Sequence, residues 1–558
     1  MGVLIVAMDR RVVMLGDSAW LVEWPPGPEL ETNIAEVHAM MQALNESQDR
    51  PRGVLGVSAG FESLAVRYDP QEAGGERVRL WISKALFELD AVGEGAGALH
   101  EIPVCYGDGP DLDQVARETG MTVDDVVGLH SGAEYTVAMV GFAPGFPYLT
   151  GLPKALRVPR LATPRNRVEA GAVAIAGEQA GIYPCASPGG WRVLGRTGVR
   201  LFDPGRAGGE ALFSPGDRVR FLPVDGIDGT DGTDGTDGTD GGDDFFRADV
   251  DVLEAGFFTT VQDAGRWGYE HVGVAPGGAM DVEALRVANI LLGNTEDAAA
   301  LEVTVKGPVL RFSVDARAVL VGADAAAGWY NGRVVAVAAG DVLDVGLLIG
   351  SMRAVFAVAG GIDVPQVMGS RSTDLRAGFG GLSGRKLVAG DVLAIGEVMP
   401  DCAPLPVDRV GLAKPVGRGL VVRVLAGPQE DWFSDEALAC FYSEPYEVTT
   451  RQDRMGMRLH GAILEVDGSR QMRSQPVAKG AVQIPPDGRP MVLMAERQTH
   501  GGYPQIGCVI AADVARLSRA LPGTRIHFRR VTLEEAWDAS RNASRDRQWL
   551  RAGLLCRG

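Results

Sequence analysis

The chain lacks the usual signatures of a self-sufficient enzyme. It contains no Gly-Lys pair, so no P-loop of the G-x-x-x-x-G-K-[ST] type can form. No H-E-x-x-H occurs, and the seven histidines show no metal-ligand spacing. The six cysteines, Cys105, Cys185, Cys402, Cys440, Cys508 and Cys556, include no C-x-x-C pair. That argues against a zinc site or a disulfide framework and fits the reduced thiols of a cytoplasm. A Met-Lys-Met biotin attachment site is absent as well. No apolar run approaches the roughly 18 residues that would span a bilayer. The opening "MGVLIVAMDRR" carries its charges after a short apolar run, the reverse of a signal peptide. With a net charge of −18 there is no basic nucleic-acid surface and no membrane-binding patch. An enzyme built from this sequence uses an unconventional site or depends on another chain.

What is present is length, glycine and strand-like patterning. A chain of 558 residues exceeds one core and suggests about three to five domains. The 75 glycines and many short Val-rich runs favour strands joined by tight turns. The clearest boundary is "DGIDGTDGTDGTDGTDGGDD", from Asp225 to Asp244. It holds eight of the aspartates, and without them the balance is −10. Its Asp-Gly-Thr triplets lack the apolar position that a calcium-binding nonapeptide repeat needs, so it reads as a solvated tether between two parts.

Ahead of the tether, "RRVVMLGDSAWLVEW" and "RGVLGVSAGFESLAVRYD" each read as two strands around a turn. "ELETNIAEVHAMMQALNES" and "GERVRLWISKALFEL" have helical periodicity. This is a small α/β sandwich over residues 1–95. From Ile102 the pattern is strands and turns, apart from short helices near "DLDQVARETGMTVDDVVGLH". Internal repeats extend the reading. "PGDRVRF" (Pro215 to Phe221) recurs as "PGTRIHF" (Pro522 to Phe528) and more loosely as "AGDVL" (Ala389 to Leu393). "TTVQD" (Thr259 to Asp263) recurs as "TTRQD" (Thr449 to Asp453). The fold class expected is therefore mainly β with an N-terminal α/β domain and three related β-barrel modules. Their spans are 96–224, 247–405 and 406–540, with a linker at 225–246 and a tail at 541–558.

Candidate site residues lie on glycine-rich loops that carry Arg, Gln, Thr and Tyr. Glycine lets backbone N–H groups approach a ligand closely, and arginine grips carboxylate or phosphate with two prongs. "GFAPGFPYLTGLP" offers Gly145, Phe146 and Tyr148 without any charge, and the nearby "PRNRV" supplies Arg165 and Arg167. We expect a rigid apolar wall and a strip of backbone donors beside a small acidic ligand; the alternative is packing against the next module. "GEQAGIYPCASPGGWRVLGRT" offers Gln179, Tyr183, Ser187, Gly189, Gly190 and Arg196, with Trp191 read as a barrel plug. "TTVQDAGRWGYEHVGVAPGGAMD" offers Gln262, Asp263, Arg266 and Asp281, the pair Asp263 and Arg266 being a structural or a catalytic ion pair. "RQDRMGMRLHG" offers Arg454 and Arg458. "ERQTHGGYP" offers Glu496, Arg497, Gln498, Thr499, Gly501, Gly502 and Tyr503, and His500 is given no role. His130 and His271 read as structural, and no catalytic residue or metal ligand is assigned.

"HSGAEYTVAMVGFAPGFPYLTGLP", "TPRNRVEAGAVAIAGEQAGIYPCASPGGWRVLGRT" and "SPGDRVRF" resemble allophanate hydrolase subunit 1, the family of the 5-oxoprolinase B subunit and the kinase inhibitor KipI. "TTVQDAGRWGYEHVGVAPGGAMD", "ANILLGN", "VAGGIDVPQVMGSRST", "QDRMGMRL" and "ERQTHGGYP" resemble subunit 2, the family of the 5-oxoprolinase C subunit and the KipI antagonist KipA. The resemblance spans nearly the whole chain outside the tether and the last 20 or so residues. It implies cyclophilin-like β-barrels for all three β-modules. It also implies a part in ATP-dependent opening of 5-oxoproline to glutamate, with ATP and Mg²⁺ as cofactors and a separate protein like the 5-oxoprolinase A subunit as partner. A small acidic substrate and contact between the two parts of this chain follow from the same resemblance; a homo-oligomer is left open. A related pair of modules forms the carboxyltransferase part of urea amidolyase. Carboxyl transfer to urea or a similar amide, with a biotin carrier in trans, is therefore an alternative. A non-enzymatic KipI/KipA-like regulator of a histidine kinase is another.

Overall fold

The computed structural model describes residues 4–6, 10–25, 30–89, 97–206, 210–227, 248–398, 419–468, 470 and 472–555. Most of the Asp-Gly-Thr tether, with Cys402 and Cys556, lies outside the described residues. The architecture is mainly β with an N-terminal α/β unit.

The N-terminal unit is a five-stranded sheet in the order Leu4–Val6, Arg10–Met14, Ala19–Glu23, Ser63–Tyr68, Val54–Ala59, with antiparallel pairs throughout. Helix Leu30–Glu46 buries Ile34, Val37, Met40 and Leu44, a stripe with the three- and four-residue spacing of a helix face. Strand alternation then splits the sheet residues between two faces. Trp20 and Val22 join the helices in one core, while Leu21 and Ala65 face Ala478 and Cys508 from the far end of the chain. Leu425, Ile510, Val531, Leu533 and Ala536 also pack into the helix-side core. The first unit thus shares its cores with the last barrel. Each buried Leu, Val or Ile there contributes roughly 1.5–3 kcal/mol, so this contact is part of the fold.

Two barrels repeat one design. In the first, the strand order is Leu99–Val104, Arg218–Pro223, Glu134–Val140, Pro147–Thr150, Gln179–Ile182, Ala172–Ala176, Arg192–Arg196. In the last, the order is Gly419–Ala426, Arg525–Arg530, Tyr446–Gln452, Gly456–His460, Met491–Leu493, Ala481–Gln483, Gln505–Val509, closing back on Gly419–Ala426. The first barrel closes through the bridge between Cys105 and Arg196. The repeated "PGDRVRF" and "PGTRIHF" therefore occupy the same place. Each feeds a strand that pairs parallel to the first strand of its barrel and antiparallel to the second. The looser "AGDVL" differs, because its strand Val392–Ile395 pairs antiparallel with Val250–Glu254. Between the barrels, residues 250–395 form two five-stranded sheets around a core that includes Leu301, Leu320 and Phe356. A long helix, Leu533–Leu555, runs through residue 541 and returns to this middle module, where Arg547 pairs with Glu283 and Glu296.

Candidate functional site

The repeated design brings equivalent loops onto the middle module. Between the second and third strands, the first barrel has residues 141–146 and the last has residues 453–455. Gly145 sits at φ +77° and gives its N–H to the Val272 carbonyl at 2.8 Å. A Cβ there would lie 2.9 Å from the Leu201 carbonyl oxygen, so both the turn and its packing require glycine. Arg454 of the other loop is buried. It donates to Glu496 at 2.6 Å, to the Gly278 carbonyl at 2.7 Å, and to Glu302.

Below Arg454 lies a cavity of about 350 Å³ whose lining includes Phe257, Phe258, Arg353, Arg376, Gln452 and Glu496. Its electrostatics are unbalanced. Arg454 is compensated by two carboxylates. Among the described residues, no carboxylate lies within 4 Å of Arg353 or Arg376. Arg353 gives one N–H to the Ser518 carbonyl at 2.8 Å and leaves its Nε without a partner. Arg376 gives one to the Phe142 carbonyl at 3.2 Å and lies 4.5 Å from the centre of that ring. Burial lowers both guanidiniums from their ordinary value. It pushes the Glu496 carboxyl up to about 7, against the pull of Arg454, with Asp374 adding to the rise. Lys479, its Nζ 3.4 Å from the Ala279 carbonyl, is pushed down to about 8, first by burial and then by Arg454 and Arg497. Two guanidiniums without a paired carboxylate, facing a cavity, suit an anionic ligand, because the ligand supplies the missing counter-charge.

A second buried network ties the parts together. Glu270 of the middle module accepts from Arg497 of the last barrel at 2.7 Å and pairs with Arg67 of the first unit. Both arginines also donate to the Val477 carbonyl. His500 contacts the Ala59 carbonyl through Nε2 at 2.8 Å and Thr499 Oγ1 through Nδ1 at 2.9 Å. A carbonyl can only accept, so Nε2 carries the proton, and burial keeps the ring neutral with its pKa down at about 3.

Two family models match. Residues 10–212 match "Carboxyltransferase domain, subdomain C and D", and residues 272–530 match "Carboxyltransferase domain, subdomain A and B". The 5-oxoprolinase C subunit of Escherichia coli (strain K12) is 41% identical over 300 residues, 53% of this chain and 95% of the relative. The 5-oxoprolinase B subunit of Bacillus subtilis (strain 168) is 36% identical over 226 residues, 38% of this chain and 92% of the relative. The chain belongs to both families, fused in one polypeptide. The crystal structure of TTHA0988 has a TM-score of 0.79 at 35% identity, covering 92% of this chain and 99% of that one. More distantly, the urea amidolyase of Lachancea kluyveri is 30% identical over 312 residues, 51% of this chain and 17% of the relative. The three β-modules have the cyclophilin-like architecture that the resemblance implied.

In this B–C fusion, most residues singled out in the sequence serve the scaffold. Phe146, Tyr148, Tyr183 and Trp191 form one aromatic cluster, with Phe146 at 90° to both Tyr183 and Trp191. Arg165 is held by Asp111 at 2.9 and 2.6 Å, and Arg167 by Glu169, so neither brings free charge to the apolar loop. Gln179 lies in a strand opposite Ala176, and Ser187 and Gly189 in a short strand opposite Val168 and Arg165, with Gly190 next in the chain. Arg196 donates to the Ala170 carbonyl. Gln262 donates to Thr260 and to the Thr373 carbonyl.

Asp263 and Arg266 do not form the ion pair considered for them. Asp263 accepts from Ser370, Ser372, Arg371 N–H and Gly265 N–H, while Arg266 donates to the Val367 and Ser372 carbonyls beneath Phe379. Asp281 caps helix Val282–Leu292 and pairs with Arg519. Arg458 lies on the surface, 3.9 Å from Asp487. Arg497 and Thr499 are buried in the network above, Gln498 is half-buried beside Gly501, and Tyr503 is exposed. Gly502 is not left-handed, and a Cβ there would meet nothing closer than 3.8 Å, so that position does not demand glycine. The apolar loop also departs from its expected donor role: its Gly145 N–H is spent on Val272, and it offers Arg376 an acceptor, the Phe142 carbonyl.

Of the residues put forward, Arg454 and Glu496 line the cavity. Arg353 and Arg376 were missed. Arg376 follows the quoted "VAGGIDVPQVMGSRST" by three residues; Arg353 opens an ordinary strand and gives no signal. The stretch Gly56 to Gly60 spells G-x-S-x-G, the pattern of a nucleophile elbow. Its Ser58 is buried inside strand Val54–Ala59, away from any strand-to-helix turn.

Proposed function

We propose that this chain supplies the B and C components of an ATP-dependent 5-oxoprolinase, with 5-oxoproline bound in the cavity beneath Arg454 and a separate A-type component completing the enzyme. The observation that carries the reading is the pair of guanidiniums, Arg353 buried and Arg376 half-buried, facing the cavity with no carboxylate within 4 Å among the described residues. A small carboxylate-bearing lactam fits a cavity of about 350 Å³ and supplies the missing charge. Similarity to both families supports the assignment of the reaction.

Arg376 would bind the substrate carboxylate while stacked on Phe142, and Arg353 would add a second donor. Among the described residues, no group of three or more His, Cys, Asp or Glu side chains could hold a metal ion. We assign nucleotide handling to the partner. Four free cysteines, Cys105, Cys185, Cys440 and Cys508, agree with a cytoplasmic setting.

A carboxyltransferase reading draws on the description of the matching family models; it would use the same cavity for an amide acceptor and a biotin carrier in trans. The deciding experiment combines the purified chain with a candidate A-type component, ATP and 5-oxoproline. Glutamate forming only in the complete mixture supports the reading. Carboxylation of urea without glutamate formation would replace it.

A further inference from the structure

The cavity brings one acidic side chain into a position that positive-charge binding does not account for. We propose that Glu496 is a catalytic proton-transfer residue, relaying one proton from an attacking water to the ring nitrogen of the bound lactam. The inference rests on the lactam reading above.

The neighbouring acids are committed elsewhere. Asp453 is exposed, and its Oδ1 accepts the N–H groups of Met455 and Gly456, closing a turn. Glu302 accepts the Met280 N–H at 2.6 Å with one oxygen and pairs with Arg454 through the other. Glu496 differs. Its Oε1 accepts from Arg454 Nε at 2.6 Å, and among the described residues nothing donates to Oε2. The residue lines the cavity shared with Arg353 and Arg376. Arg454 cannot follow Glu496 as it changes charge, because Glu302 and the Gly278 carbonyl hold its far side. That makes Arg454 a positioning residue, fixing one carboxyl oxygen and leaving the other for chemistry.

The groups that set the charge of Glu496 come from several elements: Arg454 from its loop, Glu302 from strand Ala300–Thr304, and Asp374 from the segment that also carries Arg376. Arg376 and Arg266 feel the Glu496 charge in turn. Burial dominates this set and raises the carboxyl to about 7, where it can take up and release a proton near neutrality.

The step balances without another reagent. The water oxygen bonds to the carbonyl carbon as one water proton passes to the Glu496 carboxylate. The C–N bond then breaks, its electron pair goes to nitrogen, and the carboxyl returns the proton there. Activation of the lactam by a nucleoside triphosphate is left to the partner.

The test is a pH–rate series on the full chain with its A-type partner and 5-oxoproline. For the unaltered chain, kcat/KM should fall about tenfold per pH unit below an ionisation near 7. Glu496→Gln should lower kcat by roughly 10²–10⁴-fold, keep KM within about threefold, and abolish that limb. Glu496→Asp should recover part of kcat with the limb present. A glutamine variant with the normal limb and near-normal kcat overturns the inference while the lactam reading stands. If that variant does not fold, an aspartate variant with unchanged kcat and an unshifted limb overturns it instead. An unaltered chain that makes no glutamate under any condition overturns the reading and the inference together.

Discussion

The guanidinium of Arg376 lies 4.5 Å from the centre of the Phe142 ring and donates to the carbonyl of the same residue at 3.2 Å. One residue of the first barrel thus fixes a cation of the middle module by two contacts. Phe142 adopts φ +69°, a conformation that costs a non-glycine residue about 1–2 kcal/mol. Strain of this kind persists only where surrounding contacts impose it. Here it aims both the ring and the carbonyl at Arg376, so the cavity is shaped by both parts of the fusion.

Phe142→Gly separates these effects. Glycine adopts the same φ freely and removes the ring. Relief of strain should offset the lost packing, leaving the melting temperature within a few degrees of the unaltered chain. The KM for the anionic substrate should rise several-fold, since the stack is worth about 0.5–2 kcal/mol. An unchanged KM would show that the stack does not position Arg376.

The two glycine loops should respond in opposite ways. Gly145→Ala places a Cβ 2.9 Å from the Leu201 carbonyl at positive φ, which should cost about 1–3 kcal/mol in denaturant unfolding. Gly502→Ala has room, its nearest neighbour being 3.8 Å away, and should be tolerated within about 0.5 kcal/mol. Equal losses would contradict the backbone assignment.

His500 makes the interface sensitive to acid. Its folded pKa of about 3 lies below the ordinary 6.5. The unfolded chain therefore binds the extra proton first, and the contribution present above pH 6.5 is lost as pH falls toward 3. At pH 5 the loss is about 2 kcal/mol. His130, also held near 3 by burial, follows the same course, so the His500 part is read as a difference. His500→Gln removes the ionisation and can still donate to Ala59. Its urea midpoint should fall less between pH 7 and pH 5 than that of the unaltered chain. Parallel falls would contradict the neutral, buried assignment.

The tether should be dispensable for association. Asp17 of the first unit caps helix Ala511–Ser518 by accepting the Ala511 N–H at 2.9 Å, and Glu270 joins Arg67 to Arg497. The first unit and the last barrel also share apolar cores, where each buried Leu, Val or Ile contributes roughly 1.5–3 kcal/mol, so dissociation would be strongly unfavourable. A protease site inserted within residues 228–247 should give two fragments that co-elute in gel filtration at micromolar concentration. Separate elution would refute a permanent interface.

The barrels were legible because strand alternation and turn glycines are local signals. "PGDRVRF" and "PGTRIHF" do occupy equivalent strands, and the N-terminal strands and helices fall where periodicity placed them. The cavity was far less legible. Arg353, Arg376, Arg454 and Glu496 meet only after the middle module and the last barrel pack, and nothing in the spacing of such distant residues encodes that meeting. Nor can a sequence tell a functional carboxylate from one spent on turns: Asp263 and Asp281 looked chemical and prove to be a loop clasp and a helix cap.

The most direct test of the central claim is calorimetric titration of 5-oxoproline into the full chain and into Arg376→Gln. A hydrogen bond between charged groups is worth about 1.5–3 kcal/mol, so the variant should bind roughly 10- to 150-fold more weakly. It should melt no lower, because a half-buried cation with no carboxylate within 4 Å among the described residues has been removed. Equal affinity in the two proteins, or binding in neither, would contradict the assignment of this cavity as the substrate site.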